Sequence, residues 1–144
     1  MEPKRKSFMN NINKAGHSLG MQETLNIVKA VSDPTRLAIL WLVFKESELC
    51  VCEITHALGV SQPKVSRHLA ILKKLGLLKG MRRGQWVYYR LIDGLPTWLY
   101  DLFQGVLGPS AVEVDANSEV TLEGALERLQ KMGNRPERAG RLCG

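Results

Sequence analysis

Ser61-Gln62-Pro63-Lys64-Val65-Ser66-Arg67-His68-Leu69 is the stretch on which the reading of this chain turns. Ser61 is a good helix N-cap, and Pro63 is tolerated in the first turn that follows. Val65, Leu69 and Leu72 recur at i, i+4 and i+7, which sets one buried face. Gln62, Lys64, Ser66, Arg67 and Lys73 lie on the opposite face, and Gly76 ends the helix. A helix that is apolar behind and basic in front suits the major groove of DNA, which is wide enough to admit it.

Working outward, Cys52 to Leu58 reads as a short helix with Ile54 and Leu58 on one face. Gly59-Val60 supplies the turn, Gly59 fitting a C′ position with positive φ. Further upstream, Asp33 fits an N-cap and Pro34 the first helical position. The helix that follows, to about Lys45, is dense in apolar residues such as Leu37, Leu40, Trp41 and Phe44, and is expected to be buried on most sides. Met21 to Val31 carries Leu25, Ile27 and Val28 on a helical repeat and gives a first helix.

Downstream, Leu77 to Met81 and Trp86 to Leu91 flank Arg82-Arg83-Gly84-Gln85, a β-hairpin signature with a charged tip. After Pro96, an amphipathic helix holds Trp98, Leu99, Leu102, Phe103 and Val106. Beyond Gly108-Pro109 the pattern weakens. Leu122 to Met132 has Leu122, Ala125, Leu126 and Leu129 in helical register and allows a short helix, with Gly124 weakening the pattern. This order of elements implies an α+β fold, mainly α: a winged helix-turn-helix with a β-hairpin wing. The expected organisation is a flexible arm at 1–20, a DNA-binding and dimerisation domain at 21–108, and a tail at 109–144 with room for a short helix.

The chain has 144 residues, 44% of them hydrophobic, so it can bury a core of its own. Its net charge is +6, but the distribution says more. Between Ser61 and Arg90 there are eight Lys or Arg and no Asp or Glu, whereas the two signs nearly cancel from Pro109 to Gly144. A local basic stripe implies a polyanionic partner, here double-stranded DNA. No apolar run approaches the roughly 20 residues needed to span a bilayer. The basic start Met1-Glu2-Pro3-Lys4-Arg5-Lys6 has no apolar stretch after it, so export is not expected and a cytoplasmic location is.

The candidate DNA contacts follow from the first turns of the helix and from the hairpin tip. Gln62 suits a bidentate pair with adenine, and Lys64 and Arg67 suit guanine or phosphate. Ser61 and Ser66 lie on the same approach, and His68 either donates to phosphate or packs the helix. Arg82, Arg83 and Gln85 offer the backbone or the minor groove a charged tip. Readers of this kind pair as dimers on half-sites about one helical turn apart. The first helix and the Trp98 to Val106 helix are the candidate dimer faces, although Trp98 and Phe103 also suit an ordinary core.

Three cysteines, Cys50, Cys52 and Cys143, cannot make a disulfide framework, and clustered thiols in a reducing compartment bind metal or sense redox state. In a regular α-helix, residues i and i+2 sit about 200° apart. Cys50 and Cys52 therefore cannot both face one small ion unless the chain there is non-helical or becomes so. The expectation is that ion binding distorts the first turn of this helix and spoils the docking of the recognition helix packed against it.

Asp33-Pro34-Thr35-Arg36-Leu37, Glu48-Leu49-Cys50-Val51-Cys52-Glu53, the Ser61 to Leu69 helix and Gly84-Gln85-Trp86-Val87-Tyr88-Tyr89-Arg90, in that order, resemble the ArsR/SmtB family, and most closely its arsenic- and antimony-responsive repressors. The resemblance covers roughly residues 21–107. It implies a homodimeric repressor that binds operator DNA, needs no cofactor, catalyses nothing, and lets go when arsenite or antimonite, As(III) or Sb(III), binds the thiolates of Cys50 and Cys52. Many such sensors carry a further cysteine three residues after the second, where this chain has Thr55. A third donor then has to come from Cys143 of either subunit, from a small cellular thiol, or from hydroxide.

Other readings stand beside this one. A thiol redox repressor is opposed by the acidic neighbours Glu46, Glu48 and Glu53, which disfavour thiolate formation. A zinc, cadmium or lead sensor wants more ligands than His17, His56 and Asp101 promise. A thiol-exchange enzyme would leave the basic stripe unexplained. Both thiols as small buried hydrophobes is the plainest alternative.

Overall fold

The computed structural model describes residues 20–105, 111–115 and 118–135. The elements run α1 (Met21–Val31), α2 (Pro34–Glu46), β1 (Leu49–Cys50), α3 (Val51–Leu58), α4 (Gln62–Lys74), β2 (Leu78–Arg83), β3 (Trp86–Leu91), α5 (Thr97–Gly105), β4 (Ala111–Asp115), β5 (Ser118–Thr121) and α6 (Leu122–Gln130). Helices α3 and α4 are the helix-turn-helix, and the β2–β3 hairpin is the wing. The winged helix-turn-helix reading holds.

Helix α2 is the axis of the core. Asp33 caps it by accepting a 3.0 Å hydrogen bond from the Arg36 amide, and Pro34 occupies its first turn. Ala38 through Val43 are all buried, so the helix is covered on every side. Such a helix has no solvent face to display, and neighbours must close over it. Trp41 is 1% exposed and donates its indole Nε1–H to the carbonyl of Phe103 at 3.0 Å, which ties α2 to α5. A buried indole needs such a partner.

The turn from α2 into the sheet positions the thiols. Ser47 has φ of 74°, in the left-handed region, and its amide bonds back to the Val43 carbonyl. The chain then enters β1, a strand too short to show in the sequence pattern. It pairs antiparallel with β3, Cys50 standing opposite Tyr88, and the sheet order is β1-β3-β2. The wing turns at Gly84, whose φ of 62° suits the first residue of a two-residue hairpin loop.

Helix α6 lies against the core. Leu122, Ala125 and Leu129 are fully buried in the same cluster as Trp41 and Leu58. Thr121 caps it, accepting from the Gly124 amide at 3.0 Å. Gly124 weakens the helical pattern, but a Cβ there would lie 2.6 Å from the Thr121 hydroxyl, so glycine leaves room for the cap. Arg128 sends Nε and Nη2 to the Ala57 carbonyl at 2.9 and 2.6 Å, clasping α6 onto the end of α3. Among the described residues, no helix is long and apolar enough to cross a membrane.

Candidate thiol centre and nucleic-acid interface

Cys50 closes β1 and is also the N-cap of α3, with extended backbone at φ −96° and ψ 170°. Cys52 is the second residue of the helix proper. The 200° separation of a regular helix therefore does not apply, because one of the two residues lies outside it. The sulfurs meet, Sγ to Sγ 2.9 Å, both as thiols rather than halves of a disulfide. Cys50 is buried and Cys52 partly exposed, which leaves one side open to a ligand. The expected unwinding of the first turn is thus unnecessary, since the strand-to-helix junction already brings the thiols together.

The cap also holds its own frame. Glu53, at the third helical position, accepts the Cys50 amide at 2.9 Å, the reach-back half of a capping box. Glu53 is fully buried, and Arg135 meets its other oxygen at 2.7 Å while binding Glu46 at 2.9 Å. Burial works against the charge of Arg135, but hydrogen bonds and charge from Glu53 and Glu46 more than offset it and raise its pKa. Glu48 is held by Arg83 through a two-pronged contact of 2.6 and 3.1 Å. Each acidic neighbour of the thiols therefore contacts a guanidinium, Arg135 serving two of the three. The acidic neighbours therefore oppose thiolate formation less than their number alone implies.

The recognition face divides in two. Ser61, Gln62, Ser66 and Arg67 are exposed and Lys64 is half-buried, all on one side of α4. His68 turns inward at 9% exposure, among packing residues rather than with the exposed group. On the wing, Arg82 and Gln85 are exposed. Arg83 is committed inward to Glu48 and stacks over the Tyr88 ring, 4.9 Å from its centroid. Cys143 and His17 lie outside the described residues. Among those residues, no group of three or more His, Cys, Asp or Glu is placed to hold a metal ion.

The description "Bacterial regulatory protein, arsR family" fits residues 33–79, which span α2, α3 and the recognition helix. The chain is 49% identical to the arsenic resistance transcriptional regulator ArsR1 of Pseudomonas putida over 77% of its own length and 80% of the relative's. The chain belongs to the ArsR family. A second P. putida relative, arsenic resistance transcriptional regulator ArsR2, is 44% identical over 82% of this chain and 96% of its own. Among solved structures, HlyU from Vibrio cholerae superposes with a TM-score of 0.52 at 31% identity, covering 56% of this chain and 86% of that one. ArsR-family repressors bind operator DNA, and the winged helix-turn-helix of this chain is built from α3, α4 and the β2–β3 wing.

In this ArsR-family chain, sequence reasoning missed Glu53, Arg83, Arg128 and Arg135 as parts of the thiol frame. The capping spacing from Cys50 to Glu53 was a local signal that was available. The three arginines gave none, because their partners lie 35, 71 and 82 residues away.

His68 carries a pH prediction. Desolvation by burial lowers its pKa from 6.5, Asp33 raises it, and Arg36, Lys64 and Arg67 lower it further. The folded value is the lower one, so the unfolded chain takes up protons first as pH falls. Its contribution to stability is complete above 6.5 and is lost below that value. Urea unfolding at pH 7.5 and 5.5 should show this loss, with a shallower pH dependence in His68→Asn. An equal slope in both proteins would refute it.

Proposed function

We propose that this chain is a homodimeric repressor that releases operator DNA when As(III) or Sb(III) binds the thiolates of Cys50 and Cys52. The observation that carries the reading is the 2.9 Å approach of the sulfurs at the junction of β1 and α3. Cys50 is paired through β3 to the wing, and Cys52 sits in the first helix of the helix-turn-helix. A ligand bonded to both sulfurs thus pulls on both halves of the DNA-binding surface at once. Thiolates are soft donors and suit a soft, thiophilic centre. Two related proteins named as arsenic resistance regulators support the choice of metalloid.

Two thiolates leave one of arsenic's three valences for another donor: Cys143, a small thiol or hydroxide. The dimer uses α1 and α5, where Met21, Leu25 and Val28 form an exposed apolar stripe and Trp98 is 45% exposed. A ligand shifts the equilibrium only by its differential affinity for the DNA-competent and released states. By linkage, operator DNA weakens arsenite binding by the same factor. The direct experiment is to titrate arsenite, under a monothiol reductant, into the complex with promoter DNA and follow anisotropy. Release supports the reading, and a complex indifferent to arsenite and antimonite overturns it. The guanidinium contacts to the carboxylates around the thiols keep an oxidant-driven version as the second reading, marked by release with peroxide alone.

The two wing arginines have separable roles. Arg82→Ala should flatten the salt dependence of operator binding by about one unit of slope, the signature of one lost phosphate contact. Arg83→Ala should leave that slope within error and lower the urea midpoint, since its charge serves Glu48. Equal slope changes in both variants would contradict this division.

A further inference from the structure

We infer that Thr55 completes the arsenite site through its hydroxyl, by hydrogen bonding to a hydroxide that remains on the bound arsenic. The inference rests on the proposed As(III) response and specifies what fills the third valence. Thr55 Oγ1 is closed off from solvent and, among the described residues, has no hydrogen-bond partner. An unmet buried hydroxyl costs about 1–3 kcal/mol, so it calls for an explanation. Thr55 follows Cys52 by three residues on α3, which puts both on one face of the helix. Helical side chains lean toward the amino terminus, so Thr55 reaches over the turn that holds Cys52.

The chemistry balances without any redox change. Arsenous acid, As(OH)3, meets the two thiols, two As–S bonds form and two As–O bonds break. Each thiol proton leaves with a hydroxide as water, and arsenic stays As(III). One As–OH group remains, both donor and acceptor. An aliphatic or sulfur wall would leave that group unsatisfied in a partly buried site, whereas the Thr55 hydroxyl can bond it in either sense.

Phenylarsine oxide separates this role from a merely structural one, because its third valence is carbon and its dithiol adduct bears no hydroxide. Operator release by arsenite and by phenylarsine oxide should be compared in wild type, Thr55→Val and Thr55→Ser. Thr55→Val should require about 3- to 10-fold more arsenite, the worth of one hydrogen bond. Its response to phenylarsine oxide should stay within about 2-fold, and Thr55→Ser should keep the arsenite response. Valine removes an unpaired hydroxyl, so the Tm of that variant should hold or rise. X-ray absorption on arsenite-bound wild type should count two sulfurs and one oxygen. The inference is overturned by an unchanged arsenite response in Thr55→Val, by equal losses with both arsenicals, or by three sulfurs. A wild type that neither arsenical releases would instead overturn the metalloid reading beneath it.

Discussion

Cys50→Ser is expected to hold its operator at arsenite concentrations that strip the wild type from it. Coupling between linked sites typically runs about 1–3 kcal/mol, so arsenite should weaken wild-type operator binding by about 5- to 150-fold. In the variant that ratio should fall to near one. The substitution is informative because Cys50 is the N-cap of α3, and serine is among the best residues there. The helix keeps its cap and Glu53 keeps the Cys50 amide, so a lost response cannot be assigned to a melted helix. Operator affinity without arsenite should stay within about 2-fold. Cys52→Ser should lose the response equally, since both sulfurs hold one ion. Anisotropy titrations of the three proteins decide it, and a wild-type response in either variant would remove the thiol pair from the mechanism.

How much of this was legible in the chain varies with the range of the contact. The helices announced themselves through apolar spacing and punctuation. Asp33-Pro34 opens α2 and Gly59 closes α3 with φ of 68°, as a residue without Cβ permits. The recognition face was equally legible, except that His68 shares helical register with both faces and only packing could place it. Strand β1 was not legible. It is two residues long, and its identity comes from pairing with β3 some forty positions later rather than from any local pattern. Without that strand the chain before Cys52 has no assigned conformation, so sequence alone leaves open whether the two thiols face one ion.

The charges around the thiols show the same limit. Glu46, Glu48 and Glu53 read as uncompensated acid because their guanidinium partners come from the wing and from the end of the chain. Sequence proximity reported the near charges alone. At about 3 Å in a partly buried site, the distant partner governs the local field.

Leu129→Ala is expected to cost about 2–5 kcal/mol, although it lies in the region where the hydrophobic pattern weakens. Leu129 has no exposed surface and sits in one cluster with Trp41 and Leu58. Its removal leaves a cavity that the clasp of Arg128 on Ala57 keeps from collapsing. Against a typical total stability of about 5–15 kcal/mol this is a large fraction. The urea midpoint should fall with little change in m-value, since the surface exposed on unfolding hardly alters. Glu127→Ala, two residues away on the exposed face, removes only a solvent-facing ion pair with Lys131 and should move stability by less than about 0.5 kcal/mol. If Leu129→Ala behaved like Glu127→Ala, α6 would be a peripheral appendage. A large difference makes it a wall of the core that bears directly on α3, and so a fixed support for the thiol junction.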